Sequence, residues 1–402
     1  MNQSTAKPNA AGDHRAAVLA GFLGWTLDAF DFFLVVMCLT AIGREFHKSD
    51  KEMAVTLVAT LAFRPVGAFI FGLLADRYGR RLPLMLDLVF YSIVEVLSGL
   101  APNYATFFLL RALFGVGMGG EWGVGASLAM EKVPPRLRGV LSGLLQQGYA
   151  CGYLLAALCY FFLFGKVGWR PLFFIGGLPA LLAVFVRYRV KESEVWERTR
   201  HKTWGDLGIA IARHWRLFLY LVLLMTGMNL ASHGTQDMYP TLLERQWRFL
   251  PAQRAALTAF SMVGAIAGGT LFGLFSDWWG RRRAMIAALA GAVLVVPLWA
   301  FAPSLALLWA GAFLMQFLVQ GAWGVVPAHL SELSPDAVRG FLPGFGYQCG
   351  VLIAGSVSYL EAAIAGRTGY ATAMAIVAGS VFVLAAVATA AGPERRGARF
   401  GE

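Results

Sequence analysis

Residues 72–81 read GLLADRYGRR and residues 273–282 read GLFSDWWGRR, so one motif occurs twice at an offset of 201 positions (273 − 72 = 201). A second pair of segments has the same offset: WGVGASLAMEKVPPRLRG at 122–139 and WGVVPAHLSELSPDAVRG at 323–340. One offset shared over such a length of chain is typical of a duplicated unit. We therefore predict that the chain contains two copies of one structural unit.

The composition predicts that this unit lies in a membrane. Of the 402 residues, 58% are hydrophobic and 14% are charged, whereas a soluble domain carries about 25% charged residues. Apolar runs of about 20 residues recur along the chain, and each can cross a hydrocarbon core of about 30 Å. We predict an all-α membrane protein with about twelve transmembrane helices in two six-helix pseudo-repeats of the same topology. The predicted spans are 17–42, 52–75, 83–101, 105–130, 138–164, 171–188, 216–243, 254–276, 284–302, 305–331, 339–363 and 370–391.

The repeat divides the chain into two bundles and a linker. We predict an N-terminal six-helix bundle at 1–190, a cytoplasmic linker at 191–213 and a C-terminal six-helix bundle at 214–402. The linker is predicted because residues 191–206, KESEVWERTRHKTWGD, form a charged stretch between two apolar regions.

The distribution of positive charge predicts the orientation. Lys and Arg concentrate in alternate loops, whereas the intervening loops near 101–105 and 302–304 contain none. By the positive-inside rule, this bias places both termini in the cytoplasm of a multi-pass protein of a plasma membrane of the bacterial inner-membrane type. The net charge of +11 therefore reports topology and does not indicate a nucleic-acid partner.

A polar face marks the seventh span. Residues 217–243 read LFLYLVLLMTGMNLASHGTQDMYPTLL, which is long enough to cross a bilayer. At about 100° per residue, its polar side chains fall within roughly 180° of one helix face. Because a central charged Asp costs about 2.5–3.5 kcal/mol on insertion scales, we expect this face to line a protein interior or a water-filled cavity. The polar residues are Asn229, Ser232, His233, Gln236, Asp237 and Thr241.

The repeat separates two classes of charged residue. Charges present in both halves serve a task that both halves share, and we assign them to a gate on the cytoplasmic side, where ion pairs across the seam hold the halves closed. The alternative interpretation is that they only set topology and cap helices. These residues are Asp76, Arg80, Arg81, Glu131 and Arg138 in the first half and Asp277, Arg281, Glu332 and Arg339 in the second.

Intramembrane charges present in only one half are candidates for the transport chemistry. With the residue at the repeat position in parentheses, they are Asp28 (Asn229), Asp31 (Ser232), Arg64 (Ala265), Arg111 (Ala312), Glu121 (Ala322), His233 (Phe32) and Asp237 (Val36).

The acidic residues of this class are candidates for proton coupling. Asp28 and Asp31 are three positions apart on one helix face. Two carboxylates so close in a low dielectric resist being ionised together, so one is expected to hold a proton. The alternative is that they pair with Arg64 or Arg111. Glu121 and Asp237 are further candidate proton carriers.

Arg64 is the candidate anchor for a substrate carboxylate. A guanidinium binds a carboxylate through two parallel hydrogen bonds, a geometry that lysine cannot match. The alternative role is a buried structural ion pair. Neutral donors from both halves, with ordinary interhelical hydrogen bonds as their alternative role, complete the predicted substrate site. They are Gln146, Gln147 and Tyr149 in the fifth span and Tyr347 and Gln348 in the eleventh. The predicted substrate-binding residues beside Arg64 are Gln147, Tyr347 and Gln348 of this set, with Asn229 and His233 of the polar face.

The motifs resemble those of a known superfamily. The GxxxDRxGRR loops are similar to the cytoplasmic signature of the major facilitator superfamily, although Trp278 stands where a basic residue is usual. NLASHGTQDMYPT at 229–241 resembles the helix-7 signature of fungal and bacterial lactate/pyruvate–proton symporters in the sialate/lactate branch. LGWTLDAFDFF, GEWGVGASLAMEKVPP and LLQQGYACGYLLAA resemble segments of the same branch.

This resemblance implies a set of functional residues. It implies transport roles for the Asn, His and Asp of the seventh span, carboxylate recognition by Arg64 and a contribution from Gln348. Val351 stands where the fungal members have Asn, so the preference among short carboxylates stays open.

Together these observations lead to a functional hypothesis. We expect a proton-coupled symporter of short monocarboxylates, of the lactate/pyruvate type, that works by alternating access. The alternatives are a proton-coupled porter of sialate or another sugar acid or organic acid, and a nutrient sensor that does not transport. We expect no enzymatic activity, no metal and no cofactor. The expected partners are a small carboxylate, protons and the lipid bilayer, and the expected oligomeric state is a monomer.

Overall fold

The computed structural model describes residues 10–200 and 203–401, and these residues fold mainly into helices. The first half contains α1 (Ala10–Glu45), α2 (Asp50–Tyr78), α3 (Arg81–Gly99), α4 (Tyr104–Lys132), α5 (Arg138–Gln146), α6 (Gly148–Cys159), α7 (Gly165–Val167), α8 (Arg170–Ile175) and α9 (Pro179–Arg189). The linker region contains α10 (Glu194–Thr199) and α11 (Trp204–Arg213). The second half contains α12 (Trp215–Gln236), α13 (Tyr239–Trp247), α14 (Pro251–Trp279), α15 (Arg281–Ala300), α16 (Leu305–Leu333), α17 (Leu342–Ala354), α18 (Val357–Thr368) and α19 (Tyr370–Ala391).

The helices form an all-α membrane protein. Among the described residues, eleven helical stretches are long and apolar enough to cross a membrane. The remaining long helix, α4, contains Arg111, Glu121 and Glu131, and it packs against α1, α2 and α3, which enclose its polar residues. In chain order, we number the spans 1 (α1), 2 (α2), 3 (α3), 4 (α4), 5 (α5–α7), 6 (α8–α9), 7 (α12–α13), 8 (α14), 9 (α15), 10 (α16), 11 (α17–α18) and 12 (α19).

The helix bounds repeat with the sequence offset. Helix α2 covers 50–78 and α14 covers 251–279, while α4 covers 104–132 and α16 covers 305–333, each pair 201 positions apart. The local signals repeat as well. Asn103 and Ser304 accept hydrogen bonds from the backbone amides three residues later at the starts of α4 and α16, as N-caps do.

The turns between the second and third spans of each half require glycine. Gly79 has φ +102° and Gly280 has φ +105°, a backbone conformation that side chains with a Cβ rarely adopt. These turns place the arginines that both copies of the motif contain at the start of the next helix. They lie on the side of the molecule that carries the linker, since the amides of Arg80 and Arg81 donate to Glu192. The division of the chain into two bundles joined by 191–213 stays a prediction.

The two halves meet through equivalent helices. In the first half α5 packs against α14 and α16, and in the second half α17 packs against α2 and α4. The repeat relates these contacts. Span 5 of the first half packs against spans 8 and 10, and its repeat partner, span 11, packs against spans 2 and 4. This arrangement leaves spans 1 and 7 free to line a central cavity.

Candidate functional site

Two adjoining cavities lie between the halves. The inner pocket, with a volume of about 70 Å³, is lined by residues that include Trp25, Arg64, Asn229 and Tyr347. The outer chamber, of about 340 Å³, is lined by later residues of spans 1 and 7 such as Phe33 and Asp237, farther from the linker side. The two share Tyr149, His233 and Gln236 in their linings, so they lie next to each other.

Arg64 lies at the inner pocket, and some of its guanidinium donors form no hydrogen bond within the described chain. Its helix packs so closely on α4 that a Cβ added at Gly119 would lie 1.9 Å from the Arg64 carbonyl oxygen, so the glycine holds this backbone in place. The side chain is 5% exposed. Its guanidinium carbon lies 5.8 Å from the centre of the Tyr347 ring. Nε and Nη2 have no hydrogen-bond partner among the described residues. Two donors of this buried cation therefore have no partner within the described chain.

The predicted pair of aspartates lies behind the pocket and does not line it. Asp28 and Asp31 are 0% exposed, and their carboxylates accept no hydrogen bond from any described residue. Both interact with the charge of Glu95, but the nearby arginine differs: it is Arg64 for Asp28 and Arg111 for Asp31. The structure thus places one of the two carboxylates beside the candidate anchor.

Glu121 and Arg111 have different environments. Glu121 is buried against span 1, where a Cβ added at Gly24 would lie 2.1 Å from its Oε1, and neither oxygen has a partner in the described chain. Arg111 instead donates to Glu95 at 2.6 Å and to Ser98 at 2.6 Å. Arg111 is therefore part of a buried ion pair between spans 3 and 4.

The structure contains three buried intramembrane carboxylic groups that the sequence analysis did not predict as site residues. Span 3 also contributes Asp87, which is 1% exposed, and Glu95, which is 0% exposed, and span 11 contributes Glu361, which is 0% exposed. The signal for Asp87 and Glu95 was a charged residue inside an apolar run with no charged counterpart at the repeat position. Apart from Asp76 and Glu131 of the repeated motifs, the buried carboxylic side chains described in spans 1 to 4 are Asp28, Asp31, Asp87, Glu95 and Glu121, and the buried arginines there are Arg64 and Arg111.

The seventh span supplies the polar groups that face the cavity. Nδ1 of His233 lies 3.2 Å from each carboxylate oxygen of Asp237, and these side chains are 31% and 39% exposed. Ser358 of span 11 donates to Asp237 at 2.9 Å. Asn229 lines the inner pocket and donates to the carbonyl oxygen of Met225 at 2.7 Å. All residues of the predicted polar face except Thr241 therefore line one of the two cavities.

The glutamines assigned to the substrate site lie outside the cavity linings. Gln147 donates to the Gly143 carbonyl oxygen at 3.1 Å, and its neighbour Gln146 lines the inner pocket instead. Gln348 is 0% exposed and lines neither cavity. Tyr347 does line the inner pocket, and its ring packs 4.6 Å from that of Trp122, centre to centre. One step along a helix turns a side chain by about 100°, which accounts for the exchange of Gln147 for Gln146.

A network that we call the latch joins the halves on the linker side. Asp76 accepts hydrogen bonds from the amides of Gly340 at 2.8 Å and Phe341 at 3.0 Å. Asp277 accepts hydrogen bonds from the amides of Gly139 at 2.8 Å and Val140 at 3.0 Å. Each aspartate therefore binds the segment that begins the crossing span of the other half.

Buried arginines hold these aspartates. Arg80 lies 2.7 Å from Asp76 and 2.9 Å from Glu131, and Arg281 lies 2.8 Å from Asp277 and 2.9 Å from Glu332. Burial lowers the pKa of the Arg80 guanidinium, but the carboxylates of Glu131 and Asp76 outweigh this effect, and its net pKa is raised. These arginines are therefore permanent positive charges in the latch.

A second set of arginines crosses the seam. Arg138 lies 3.1 Å from Glu332, and Arg339 lies 3.5 Å from Glu131. The ring of Phe400 lies between the two guanidinium groups, with its centre 3.8 Å from Arg138 Cζ and 3.7 Å from Arg339 Cζ. Arg81 differs from the other predicted gate residues, because its side chain binds the carbonyl of Arg187 in its own half.

The described latch is fully formed while the outer chamber keeps His233 and Asp237 partly exposed. The structure is therefore a state that is closed on the linker side, with the cavity on the other side of the latch. This is the arrangement that alternating access requires of one of its two end states.

Comparison with known proteins identifies the family. The model of the sugar (and other) transporter family matches residues 14–206 and 218–393, which is most of the chain. The chain belongs to this family. Its members are membrane transporters, which confirms the prediction of a transporter that is not an enzyme.

Individual similarities agree with this assignment. The carboxylic acid transporter protein homolog of Saccharomyces cerevisiae is 30% identical over 93% of this chain and 67% of its own length. The probable 4-methylmuconolactone transporter of Cupriavidus pinatubonensis is 32% identical over 84% of this chain and 81% of its own length. The structure of the proton:xylose symporter XylE superposes with a TM-score of 0.80 over 98% of both chains at 20% identity, which confirms the major facilitator fold.

Proposed function

We propose that the protein is a proton-coupled symporter of short monocarboxylates, of the lactate/pyruvate type, in a plasma membrane with both termini in the cytoplasm. The observation that carries this proposal is the pair of unpartnered guanidinium nitrogens of Arg64 at the inner pocket. A buried cation with free donors is complementary to one carboxylate. The yeast relative, named as a carboxylic acid transporter homolog, supports this class of substrate.

The size of the inner pocket favours a small acid. One water needs about 10–15 Å³ in this measure of volume, so the pocket of about 70 Å³ has room for a few non-hydrogen atoms. Asn229 and Tyr347 line the same pocket and offer hydrogen bonds beside the carboxylate. The Trp25 and Tyr149 rings, 5.6 Å apart, form an apolar wall for the remaining carbons.

Proton coupling is favoured by energetics and by the buried carboxylic groups. A membrane that is negative inside opposes entry of a lone anion by about 2.3 kcal/mol per 100 mV, and one accompanying proton removes this cost. Asp28 beside Arg64, with Glu121 and Asp31 behind it, and the His233–Asp237 pair in the outer chamber are the proposed proton carriers. Neutral, protonated carriers and a neutralised Arg64 then let the latch part and the cavity open inward.

The outer chamber favours a second candidate. This chamber has a volume of about 340 Å³ and shares three lining residues with the inner pocket, so a longer acid has room to reach beyond Arg64. A porter of sialate or another sugar acid or organic acid would place its carboxylate on Arg64 and its remaining atoms between Tyr153 and Trp299. The same anchor serves both candidates, and only the length of the substrate separates them.

Uptake of labelled lactate into proteoliposomes tests the proposal. We expect accumulation when the outside is acidic, with about a tenfold limit per pH unit because one unit corresponds to about 1.4 kcal/mol. A potassium diffusion potential applied without a pH difference should drive no accumulation, since the symport of one anion with one proton is electroneutral. Accumulation driven by the potential alone would contradict the proposal. Uptake of sialate without uptake of lactate would favour the second candidate.

A further inference from the structure

Span 11 contains a buried carboxylic group that the proposed mechanism does not use. Glu361 of α18 is 0% exposed, and neither of its carboxylate oxygens accepts a hydrogen bond from any described residue. An ionised carboxylate without a partner in such a place is very costly, and the usual outcome is that the group takes up a proton. We therefore expect Glu361 to be neutralised by a bound proton and not by the side chain of a lysine or arginine.

The group adjoins the solvent-exposed pair of span 7. Its Oε1 lies 3.5 Å from the position that a Cβ at Gly234 would occupy, between His233 and Thr235. The charges of Glu361 and Asp237 interact, and Asp237 is also bound by Ser358, one helical turn before Glu361. The absence of a side chain at Gly234 thus lets the buried carboxyl group approach the exposed pair.

Among the described residues of the helices packed against α18, no lysine or arginine faces Glu361. Span 12, which packs along α18, has no charged residue from Ala371 to Ala391, and Tyr370 is the titratable group at its start. On α18 itself, Tyr359 and Arg367 are exposed, and on span 7 the facing groups are His233 and Asp237. The nearest facing charge is therefore the carboxylate of Asp237, which further disfavours a second negative charge.

We propose that Glu361 is a proton-binding site of the second half, which exchanges its proton with the His233–Asp237 pair of the outer chamber. The carboxylate of Glu361 gains a proton that the pair has taken from the outer solution, and the pair returns to its deprotonated form. This inference rests on the proposed proton-coupled transport. It adds a carrier in the second half, behind span 7, that is separate from the Asp28 group of the first half.

The main experiment compares Glu361→Gln with wild type in proteoliposomes. The variant keeps the size of the side chain but cannot take up or release the proton. We expect exchange of internal for external lactate to stay within about twofold of wild type, because exchange needs no net proton movement. We expect the stimulation of uptake by an acidic exterior to be lost. Undiminished stimulation would overturn the proposal.

Two variants control the comparison. Glu244→Gln removes an exposed carboxylate that pairs with Arg254, and it should leave both exchange and gradient-driven uptake unchanged. Glu361→Asp keeps a carboxylic group, so it should restore the response to the gradient with a displaced pH midpoint. If Glu361→Gln does not yield folded protein, the Asp variant decides: an unmoved midpoint would contradict the proposal.

A spectroscopic readout separates this inference from the proposed function. The infrared difference between wild type and Glu361→Gln should contain the carbonyl band of a protonated carboxylic acid that disappears on alkaline titration. This band is expected whether or not lactate is the substrate. If wild type fails to transport lactate but the band is present, the proposed substrate is wrong and the proton site stands. If the band is absent at every pH, the proton site is wrong.

Discussion

The latch follows the sequence repeat, whereas the inner pocket departs from it. In the latch, Asp76 and Asp277 each bind two backbone amides of the other half, and the four distances agree within 0.2 Å between 2.8 and 3.0 Å. In the pocket, Arg64 has a buried alanine, Ala265, at its repeat position. Closing the linker side is a task that both halves perform on each other, whereas binding one carboxylate needs one cation. The duplicated chain therefore keeps its symmetry where the halves bind each other and loses it at the proposed carboxylate anchor.

The largest expected effect is on the asymmetric side of this comparison. Arg64→Ala should lower kcat/KM for lactate uptake at least about 100-fold, because each charge-assisted hydrogen bond is worth about 1.5–3 kcal/mol and about 1.4 kcal/mol is tenfold. Arg64→Lys should retain part of the activity, since it keeps the charge but not the planar pair of donors. Arg245→Ala on the exposed surface of α13 is the control. Uptake by Arg64→Ala within twofold of wild type would exclude Arg64 as the anchor.

The symmetric side predicts equal effects from matched substitutions. Asp76→Asn and Asp277→Asn each replace a charged acceptor of two amides, which weakens the latch by about 1.5–3 kcal/mol. Each should raise the population open on the linker side about tenfold or more relative to the closed state. Spin labels at Leu82→Cys and Arg283→Cys, which are repeat partners, report this opening as a longer distance once the native cysteines are replaced.

The two aspartate variants are each other's control. If only one of them shifts the distance distribution, the latch is not functionally symmetric, whatever its geometry. If neither does, the interpretation that these charges only set topology and cap helices is the better one. Lactate binding should be little changed in both variants, because the latch and Arg64 lie in different parts of the interface.

The sequence predicted the latch more completely than the pocket, and the reason is physical. A residue present in both copies identifies itself, so Asp76, Arg80 and Glu131 could be named before their contacts were known. It is harder to infer which side chains of span 5 point toward the pocket. Almost every position in this span is small or apolar, so the pattern does not indicate the inward side. Both Gln146 and Gln147 were candidate donors; Gln147 was assigned to the substrate site, whereas Gln146 lines the pocket.

Ion pairs between different spans are even harder to predict from the sequence. The pairing of Arg111 with Glu95 joins spans 3 and 4, and nothing in either span's own pattern specifies it. Glu361 was passed over for the same reason, because its significance depends on Asp237, which is more than 120 residues earlier in the chain. The repeat identifies functional residues without knowledge of their contacts only where both copies contain them. Arg111, Glu95 and Glu361 each occur in one copy.

The smallest expected effect tests where the latch departs from its symmetry. Phe400 is a single ring that touches Arg138 and Arg339, which are repeat partners from opposite halves. Cation–π contacts are worth about 0.5–1 kcal/mol when exposed and about 2 when desolvated, so Phe400→Ala should raise the open population only a few-fold, by the same spin-label measurement. Phe400→Tyr should behave as wild type and Phe400→Leu as the alanine variant, because the interaction needs the ring and not merely an apolar side chain. A wild-type distribution for the alanine and leucine variants would show that the latch is held by its symmetric contacts alone.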